Sequence, residues 1–395
     1  MIFRKKNSGC HTLFISEYFL PTIGGSITVY ENIYRYYPAN TVWILTKKVL
    51  EAPRSEVKNG IHIRRTAFPL HSHSKVRMAF LYMWVLWLTF LMVKQNRITE
   101  IHCDKALTSG LAGWLASRLL RIPYFVYAHG EDITIESNYP LHKKWMIRIY
   151  QDAKGIFANS HFTASLLREL GIAKEKIGVI GWGVPREMLN FPTDQKMLRE
   201  KYGVNGSKVI LTVSRLGKRK GHAFVLKALH DLRPQFGQFH YLIAGEGEER
   251  KHIEQYVRDF ALQDNVSFLG EVKEKELLEL YSICDLFVMP NITLENGEVE
   301  GYGIVFLEAA AFGKPAIGGK SGGTSDIIID GQTGYLVDPS HPEELKNRIQ
   351  DILQHPDLAN RLGQAARYRI ADYFTWDKVF QRFEDFRDQR LEVTK

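Results

Sequence analysis

The chain has 395 residues, too many for one ordinary hydrophobic core, so two domains are expected. Hydrophobic residues at 45% and charged residues at 24% match the average soluble domain, which excludes disordered, fibrous and collagen-like classes. A formal net charge of +8 calls for an anionic partner, whether nucleotide diphosphate, anionic lipid headgroups or nucleic acid.

Taken in chain order, Met1-Ile2-Phe3-Arg4-Lys5-Lys6 leads into Asn7, Ser8 and Gly9 rather than a long apolar run, so no signal peptide is expected. Short apolar strands are predicted at 11–16, 41–45, 61–65, 98–103, 123–127, 155–158 and 176–180, with helices at 26–37, 106–120, 140–150 and 162–170. Strands alternating with helices indicate a parallel, doubly wound α/β sheet. The apolar segment 78–93 is 16 residues long, flanked by Lys75, Arg77, Lys94 and Arg97. A spanning helix needs about 20 apolar residues, so this one is expected to be buried or partly docked at a membrane interface. Glycine and proline concentrate between Gly181 and Asp194, where the linker is placed.

The second half repeats the pattern, with strands at 209–214, 241–244, 266–269, 286–289, 316–318 and 335–337 and helices at 224–232, 249–261, 274–283, 304–312 and 342–353. The expected division is 1–184 and 185–373, with a C-terminal helix over 374–395 packing back on the first domain. Two such domains face one another across a crevice at the carboxyl ends of their strands. Cys10, Cys103 and Cys284 are odd in number and far apart, which indicates neither a disulfide framework nor a metal site and fits a reducing cytoplasm.

The densest chemistry lies in Glu300-Gly301-Tyr302-Gly303-Ile304-Val305-Phe306-Leu307-Glu308. Gly301 and Gly303 disfavour helix, so Glu300 is expected in a loop. Backbone amides from Gly301 to Ile304 would open the following helix and suit an anion, and Glu308, about a turn further, can accept from hydroxyls. Arg215-Leu216-Gly217-Lys218-Arg219-Lys220-Gly221-His222 places four cations in a strand-to-helix loop, where Arg215 and Lys220 can grip a diphosphate. Gly24-Gly25 would let a phosphate or acceptor approach a helix that Ser26 can cap. His129-Gly130 follows a strand end and can donate to a sugar, and no metal-ligand spacing surrounds it. Gly245, Gly270 and Val272 mark further strand ends that can line a base pocket.

Together these residues resemble the retaining, GT-B fold glycosyltransferases of the large GT4 group, over nearly the whole length. Ser321-Gly322-Gly323 and Asp330-Gly331-Gln332-Thr333-Gly334 look like later landmarks of that family, although Asp326 stands where the family more often has glutamate. The resemblance implies that Glu308 holds the ribose, that Glu300 with the amides of Gly301, Tyr302, Gly303 and Ile304 holds the sugar, and that Arg215 and Lys220 hold the diphosphate. It implies that His129 contacts the sugar near its anomeric centre, and that no metal or other cofactor is needed beyond the nucleotide-sugar co-substrate. Glu298-Val299-Glu300-Gly301 is especially similar to phosphatidylinositol-mannoside mannosyltransferases, which makes GDP-mannose the expected donor. The expected acceptor is lipid-linked or a glycan, at the inner membrane face, with no nucleic-acid partner. The alternatives are a UDP-sugar transferase with a soluble acceptor, and a non-catalytic module binding an anionic ligand or a membrane.

Overall fold

A computed structural model describes residues 9–22, 24–50, 52–68, 75–235 and 238–392. The chain divides into two compact units, Met1–Gly181 with Val379–Lys395, and Trp182–Lys378.

The first unit runs β1 (Thr12–Ser16), α1 (Gly25–Arg35), β2 (Val42–Lys47), β3 (Ser55–Lys58), β4 (Ile61–Thr66), α2 (Lys75–Gln95), β5 (Glu100–Cys103), α3 (Ser109–Leu120), β6 (Tyr124–Ala128), α4 (Glu131–Glu136), α5 (Pro140–Asp152), β7 (Gly155–Ala158), α6 (His161–Glu169) and β8 (Ile177–Val179). Its eight strands lie in the order β3-β4-β2-β1-β5-β6-β7-β8, and β1 pairs in parallel with both β2 and β5. The winding reverses at β1, so residues just beyond β1, β5 and β6 gather where open α/β sheets take ligands. The predicted strands are all present. The sequence reading missed β3, which runs antiparallel to β4 through an Asn59-Gly60 turn with φ of 52° and 75°.

The second unit runs α7 (Gln195–Lys201), β9 (Lys208–Val213), α8 (His222–Leu232), β10 (Phe239–Ala244), α9 (Arg250–Asp259), β11 (Val266–Gly270), α10 (Glu274–Ile283), β12 (Leu286–Met289), α11 (Ile304–Ala311), β13 (Ala316–Gly319), α12 (Thr324–Ile327), β14 (Tyr335–Val337), α13 (Pro342–Gln354) and α14 (Pro356–Tyr373). Its six strands are ordered β11-β10-β9-β12-β13-β14, all parallel, and here the winding reverses at β9. Short α4, α7 and α12, and the longer α14, were not read from the sequence. Their apolar faces are covered only once the sheets are assembled, and propensity alone is a weak signal.

The final helix, α15 (Trp376–Glu392), belongs to the first unit from Val379 onward. Its Arg387 is 1% exposed, donates to Tyr37 Oη at 2.7 Å and lies 3.9 Å from Glu100 Oε1. Glu100 also accepts from Thr12 Oγ1 at 2.7 Å. Burial alone would raise the Glu100 carboxyl, but His102, Arg387 and Thr12 hold it at about 2.

Two local expectations are corrected. Helix α1 starts at Gly25 with Gly24 as its N-cap, so Ser26 lies inside the first turn and caps nothing. Helix α2 has 21 residues, because Lys75, Val76 and Arg77 and then Lys94 and Gln95 carry the helix beyond the 16-residue apolar segment at both ends. Val76–Gln95 is therefore long and apolar enough to cross a membrane by length and composition, yet 28% of its most apolar window is buried within the protein. Val85, Leu88, Met92 and Val93 join the core of the first unit, while Phe80, Met83, Trp84 and Trp87 face outward.

Candidate active site

In the second unit, the chain leaves β9 at Ser214 and makes a single 3-10 turn over Lys218–Lys220 before α8. Gly221 closes that turn at φ 78°, where a Cβ would lie 2.2 Å from the Pro290 carbonyl oxygen, so only glycine fits. The close approach seats the basic turn against the end of β12, and Ile292 N donates to Arg219 O at 2.8 Å. His222 sits below as a buried scaffold. It meets Ser214 Oγ at 3.0 Å and Tyr241 Oη at 3.3 Å, and burial followed by the charge of Lys220 lowers its pKa to about 4.

Glu300 lies in the loop before α11, as the glycine content requires. Its Oε2 accepts from Arg219 Nη1 at 2.7 Å and from Lys220 Nζ. The Glu300 and Lys220 side chains are each 11% exposed, so this is a largely desolvated ion group rather than a surface pair. Burial alone would raise the Glu300 carboxyl, but Lys220 and Arg219 more than offset it and hold it below the usual carboxylate range. The Glu300 backbone is fixed as well. Its carbonyl accepts from Gly323 N at 2.9 Å, and a Cβ on Gly322, at φ 62°, would lie 1.9 Å from that same oxygen. The Ser321-Gly322-Gly323 landmark is thus the seat of Glu300.

Gly303 takes φ 92° as the N-cap of α11, directing the amides of the first turn beside Glu300. Gly301 and Ile304 flank it, and Tyr302 sends its ring into the core, 5.3 Å from Trp182. One turn along α11, Glu308 Oε2 accepts from Tyr281 Oη on α10 at 2.7 Å. Burial pushes the Glu308 carboxyl up to about 7, against the pull of the Tyr281 hydrogen bond and with a further push from Glu274. Gly245 and Gly270 lie side by side after β10 and β11, where Gly245 N donates to Gly270 O at 2.7 Å, and Val272 packs partly buried nearby. A Cβ on Gly245 would lie 1.9 Å from Ser214 O, so its glycine is required by the protein's own packing.

Arg215 is not brought to Glu300. Its side chain is 79% exposed and pairs with Glu248 at 3.4 Å, while Arg219 occupies the place beside Lys220. The sequence marks four cations in one loop but carries no signal for which of them a 3-10 turn aims inward. It also missed Tyr281 and the fully buried Asn291, whose amide donates to Thr324 Oγ1 at 3.0 Å and accepts from Gly319 N at 3.1 Å, tying β12 to β13. Asp326 gives its carbonyl to Arg369 at 2.9 Å.

In the first unit, His129 follows β6 with Nε2 at 2.7 Å from Tyr30 Oη and 3.1 Å from the Asp104 carbonyl. A carbonyl only accepts, so His129 presents Nε2–H to it. Burial, the largest influence, lowers the His129 pKa and favours the neutral ring, although Asp132 and Asp104 pull the other way. The loop is held by His129 N donating to Asp132 Oδ1 at 3.0 Å and by Asn159 Nδ2 donating to His129 O at 3.0 Å. Beside it Asp104 is fully buried, taking donors from Ser16 Oγ at 2.9 Å, from Glu17 N at 2.8 Å and from Ser109 Oγ. At the start of α1, Gly24 has φ 172°, ordinary extended backbone, and a Cβ there would meet only Ile27 Cδ1 at 3.7 Å. Nothing among the described residues requires glycine at that position.

Comparison with known proteins bears on the family and the fold. The model for glycosyl transferases group 1 matches residues 194–369 and that for Glycosyltransferase Family 4 matches residues 23–187. A GDP-mannose-dependent alpha-(1-6)-phosphatidylinositol monomannoside mannosyltransferase of Mycolicibacterium smegmatis is 28% identical, covering 76% of this chain and 79% of the relative. An N-acetyl-alpha-D-glucosaminyl L-malate synthase of Bacillus anthracis is 26% identical over 74% of this chain and 75% of its own. Among solved structures, Anabaena HepE in complex with UDP-glucose superposes with a TM-score of 0.79 at 21% identity, covering 96% of this chain and 99% of that one. Sucrose-phosphate synthase of Thermosynechococcus elongatus gives 0.80 at 21% identity, covering 97% and 100%. The non-catalytic alternative is set aside by these matches: the chain belongs to glycosyltransferase family 4, has the GT-B fold and is a hexosyltransferase.

Proposed function

We propose that the chain transfers mannose from GDP-mannose, with retention at the anomeric carbon, to a lipid-linked or glycan acceptor at a membrane surface. The observation that carries the chemistry is the ion group of Lys220, Arg219 and Glu300 beside the first turn of α11. In this reading, the acceptor hydroxyl oxygen forms the new bond to the sugar's anomeric carbon as the bond from that carbon to the diphosphate breaks. The hydroxyl proton passes to the leaving phosphate. Lys220 and the exposed Arg215 neutralise the diphosphate, which is leaving-group stabilisation by positive charge rather than by a protein nucleophile. Glu300 and the α11 amides hold the sugar, Glu308 holds the ribose, and the strand ends at Gly245, Gly270 and Val272 hold the base. His129 reaches the sugar near its anomeric centre. The open space at Gly24 supports approach of a ligand to the start of α1.

The donor is inferred from the name of the M. smegmatis relative and from the Glu298 to Gly301 run. A second reading, UDP-sugar transfer to a soluble acceptor, is favoured by the B. anthracis relative, whose name gives L-malate and an N-acetylglucosaminyl group. Thermal shifts with GDP and UDP separate the two, since a ligand stabilises the state it binds. Stabilisation by GDP alone and mannosyl product from GDP-mannose with membrane extract are expected; stabilisation by UDP alone would replace the first reading by the second. No metal or cofactor is called for, because cationic side chains supply the charge. Transfer should therefore survive excess EDTA, and loss of activity restored by magnesium would remove that part of the proposal.

A further inference from the structure

Near the β3 edge of the first unit's sheet lies a cavity of about 540 Å³ lined by Lys48, Arg54, Arg64, Thr66, Trp84 and Leu88. That volume falls within the range of roughly 300–1,000 Å³ usual for a small-ligand site. Alternation along β4 sends Arg64 and Thr66 to one side, toward α2, where Trp84 Nε1 donates to Thr66 Oγ1 at 2.7 Å. Arg65, between them, turns to the opposite side and is 4% exposed. Its Nη1 donates to Pro53 O at 2.9 Å, and its Nη2 donates to Leu20 O and to Glu56 Oε1, each at 2.6 Å. Arg65 thus does two things. It pins the segment carrying Arg54, whose carbonyl also accepts from Arg65 N at 2.8 Å, and it takes up Glu56, the acidic side chain of β3. Among the described residues, the side chains of Lys48, Arg54 and Arg64 have no hydrogen bond or ion pair.

Three cations in one cavity point to an anion, and their number decides which. A phosphate monoester carries about −1.5 to −2 charges at neutral pH and offers three acceptor oxygens. Two planar guanidinium forks and a compact ammonium match that better than they match a single carboxylate. Trp84 and Leu88 add the apolar wall of a site for an organic ligand rather than a bare ion. The cavity also lies at the carboxyl end of the sheet: Lys48 follows β2, and its N donates to Thr66 O, at the end of β4, at 2.7 Å. In the strand order β4 is two places from β1, hence on the order of 10 Å from the loop after β1 at about 4.8 Å per strand. Lys47 Nζ lies 5.3 Å from the ring centre of Tyr18 in that loop, so the cavity rim and the loop adjoin.

We propose that this cavity binds a phosphate group carried by the acceptor, on the order of 10 Å from the hydroxyl that takes the sugar. Lys48, Arg54 and Arg64 neutralise the phosphate, and Trp84 covers the part of the acceptor next to it. The proposal rests on the reading that the chain is a transferase whose acceptor lies against the first unit, and it adds the acceptor's chemical class.

The test is calorimetric titration of the full chain with mannose 6-phosphate, mannose and inorganic phosphate, each with and without saturating GDP to fill the donor side. Mannose 6-phosphate should bind with GDP present, more weakly as salt rises, and mannose should give no measurable heat. Lys48→Ala with Arg54→Ala, both at exposed positions, should weaken binding at least about tenfold, since one charge-assisted hydrogen bond contributes about that factor. Arg64→Ala should do the same, while Lys251→Ala with Arg258→Ala on α9 of the other unit should leave affinity near the wild-type value. In transfer from GDP-mannose to membrane extract, mannose 6-phosphate should inhibit the wild type and lose potency by a similar factor in the Lys48/Arg54 variant. Unchanged binding by both cavity variants overturns the proposal, as does an equal loss in the α9 control, and binding without inhibition overturns the link to the acceptor. Inorganic phosphate that binds as tightly as mannose 6-phosphate overturns it in favour of a free-ion site. Failure of mannose 6-phosphate to bind the wild type overturns it too, and phosphatidylglycerol vesicles that then sediment with the wild type but not with the cavity variants would make the cavity a lipid contact. Absence of a GDP thermal shift, with mannose 6-phosphate binding kept in the wild type and lost in the cavity variants, removes the donor reading and leaves the phosphate site standing.

Discussion

Tyr281 on α10 donates a hydrogen bond to Glu308 on α11 at 2.7 Å, joining two helices that lie on either side of β12 in the chain. The Glu308 carboxyl is pushed by burial up to about 7, and the tyrosine is the group that pulls it back down. A buried carboxylate whose charge is this finely balanced changes state within the ordinary working range of an enzyme.

Donor binding should therefore depend on pH in a defined direction. The ionised form of Glu308 accepts from ribose hydroxyls, and ionisation grows as pH rises through about 7. Calorimetric affinity for the nucleotide should strengthen from below to above that value. Tyr281→Phe removes the influence that lowers the pKa, so the midpoint should move upward, while Glu308→Gln should flatten the profile. A profile unchanged by Glu308→Gln would detach this residue from the donor. For stability the sign reverses: a carboxyl raised on folding favours the fold at low pH and costs it progressively as pH climbs through the folded-state value.

Removing Lys220 leaves Glu300 buried against Arg219 alone. Breaking a buried ion pair typically costs about 3–5 kcal/mol, and with Arg219 still present a loss of roughly 2–3 kcal/mol is expected for Lys220→Ala. Glu300→Ala with Lys220 kept leaves two cations without their buried carboxylate and should cost more, about 3–5 kcal/mol, with transfer lost in both variants. Denaturation midpoints and product formation measured on the wild type and these two variants decide it; a Glu300→Ala variant as stable as the wild type would mean that the carboxylate does not hold the two cations.

The two glycine sites separate structural from functional need. Gly221→Ala forces a side chain into φ 78° and against the Pro290 carbonyl, and should cost about 2 kcal/mol or more and disorder the basic turn. Gly24→Ala meets only an ordinary contact and should change stability by no more than about 0.5 kcal/mol. If glycine there serves ligand approach, Gly24→Ala should still lower kcat/KM by about tenfold or more, a factor that corresponds to roughly 1.4 kcal/mol. Full activity in this variant would end the case for ligand contact at that point.

Arg215, exposed and paired only weakly at the surface with Glu248, should be dispensable for folding. Arg215→Ala is expected to leave the melting temperature within about a degree or two and to lower kcat more than it changes nucleotide affinity, since a diphosphate gathers charge mainly as it leaves. Equal losses in kcat and in affinity would make Arg215 a ground-state binder.

Much of the arrangement was legible in the residues themselves. Alternating apolar strands and amphipathic helices follow from local periodicity, so both parallel sheets could be read directly, with most boundaries within a few residues. Glu300 in a loop and Glu308 on a helix follow from the glycines between them. The antiparallel β3 was not legible because an isolated, exposed SEVK segment has no apolar face of its own and is defined only by its partner β4.

The sequence by itself determined the two α/β units, the glycine-bounded basic loop after β9 and the two glutamates around the start of α11, because these depend on residues close together in the chain. Only the tertiary structure decided that Arg219 rather than Arg215 meets Glu300, across 81 positions, since that choice rests on the left-handed Gly221 turn lying on Pro290. The same holds for Tyr281 on Glu308, and for Arg387, 350 positions from Tyr37 and buried with it. Contacts of that separation are fixed by strand order and by which backbone can approach which. No local pattern carries either.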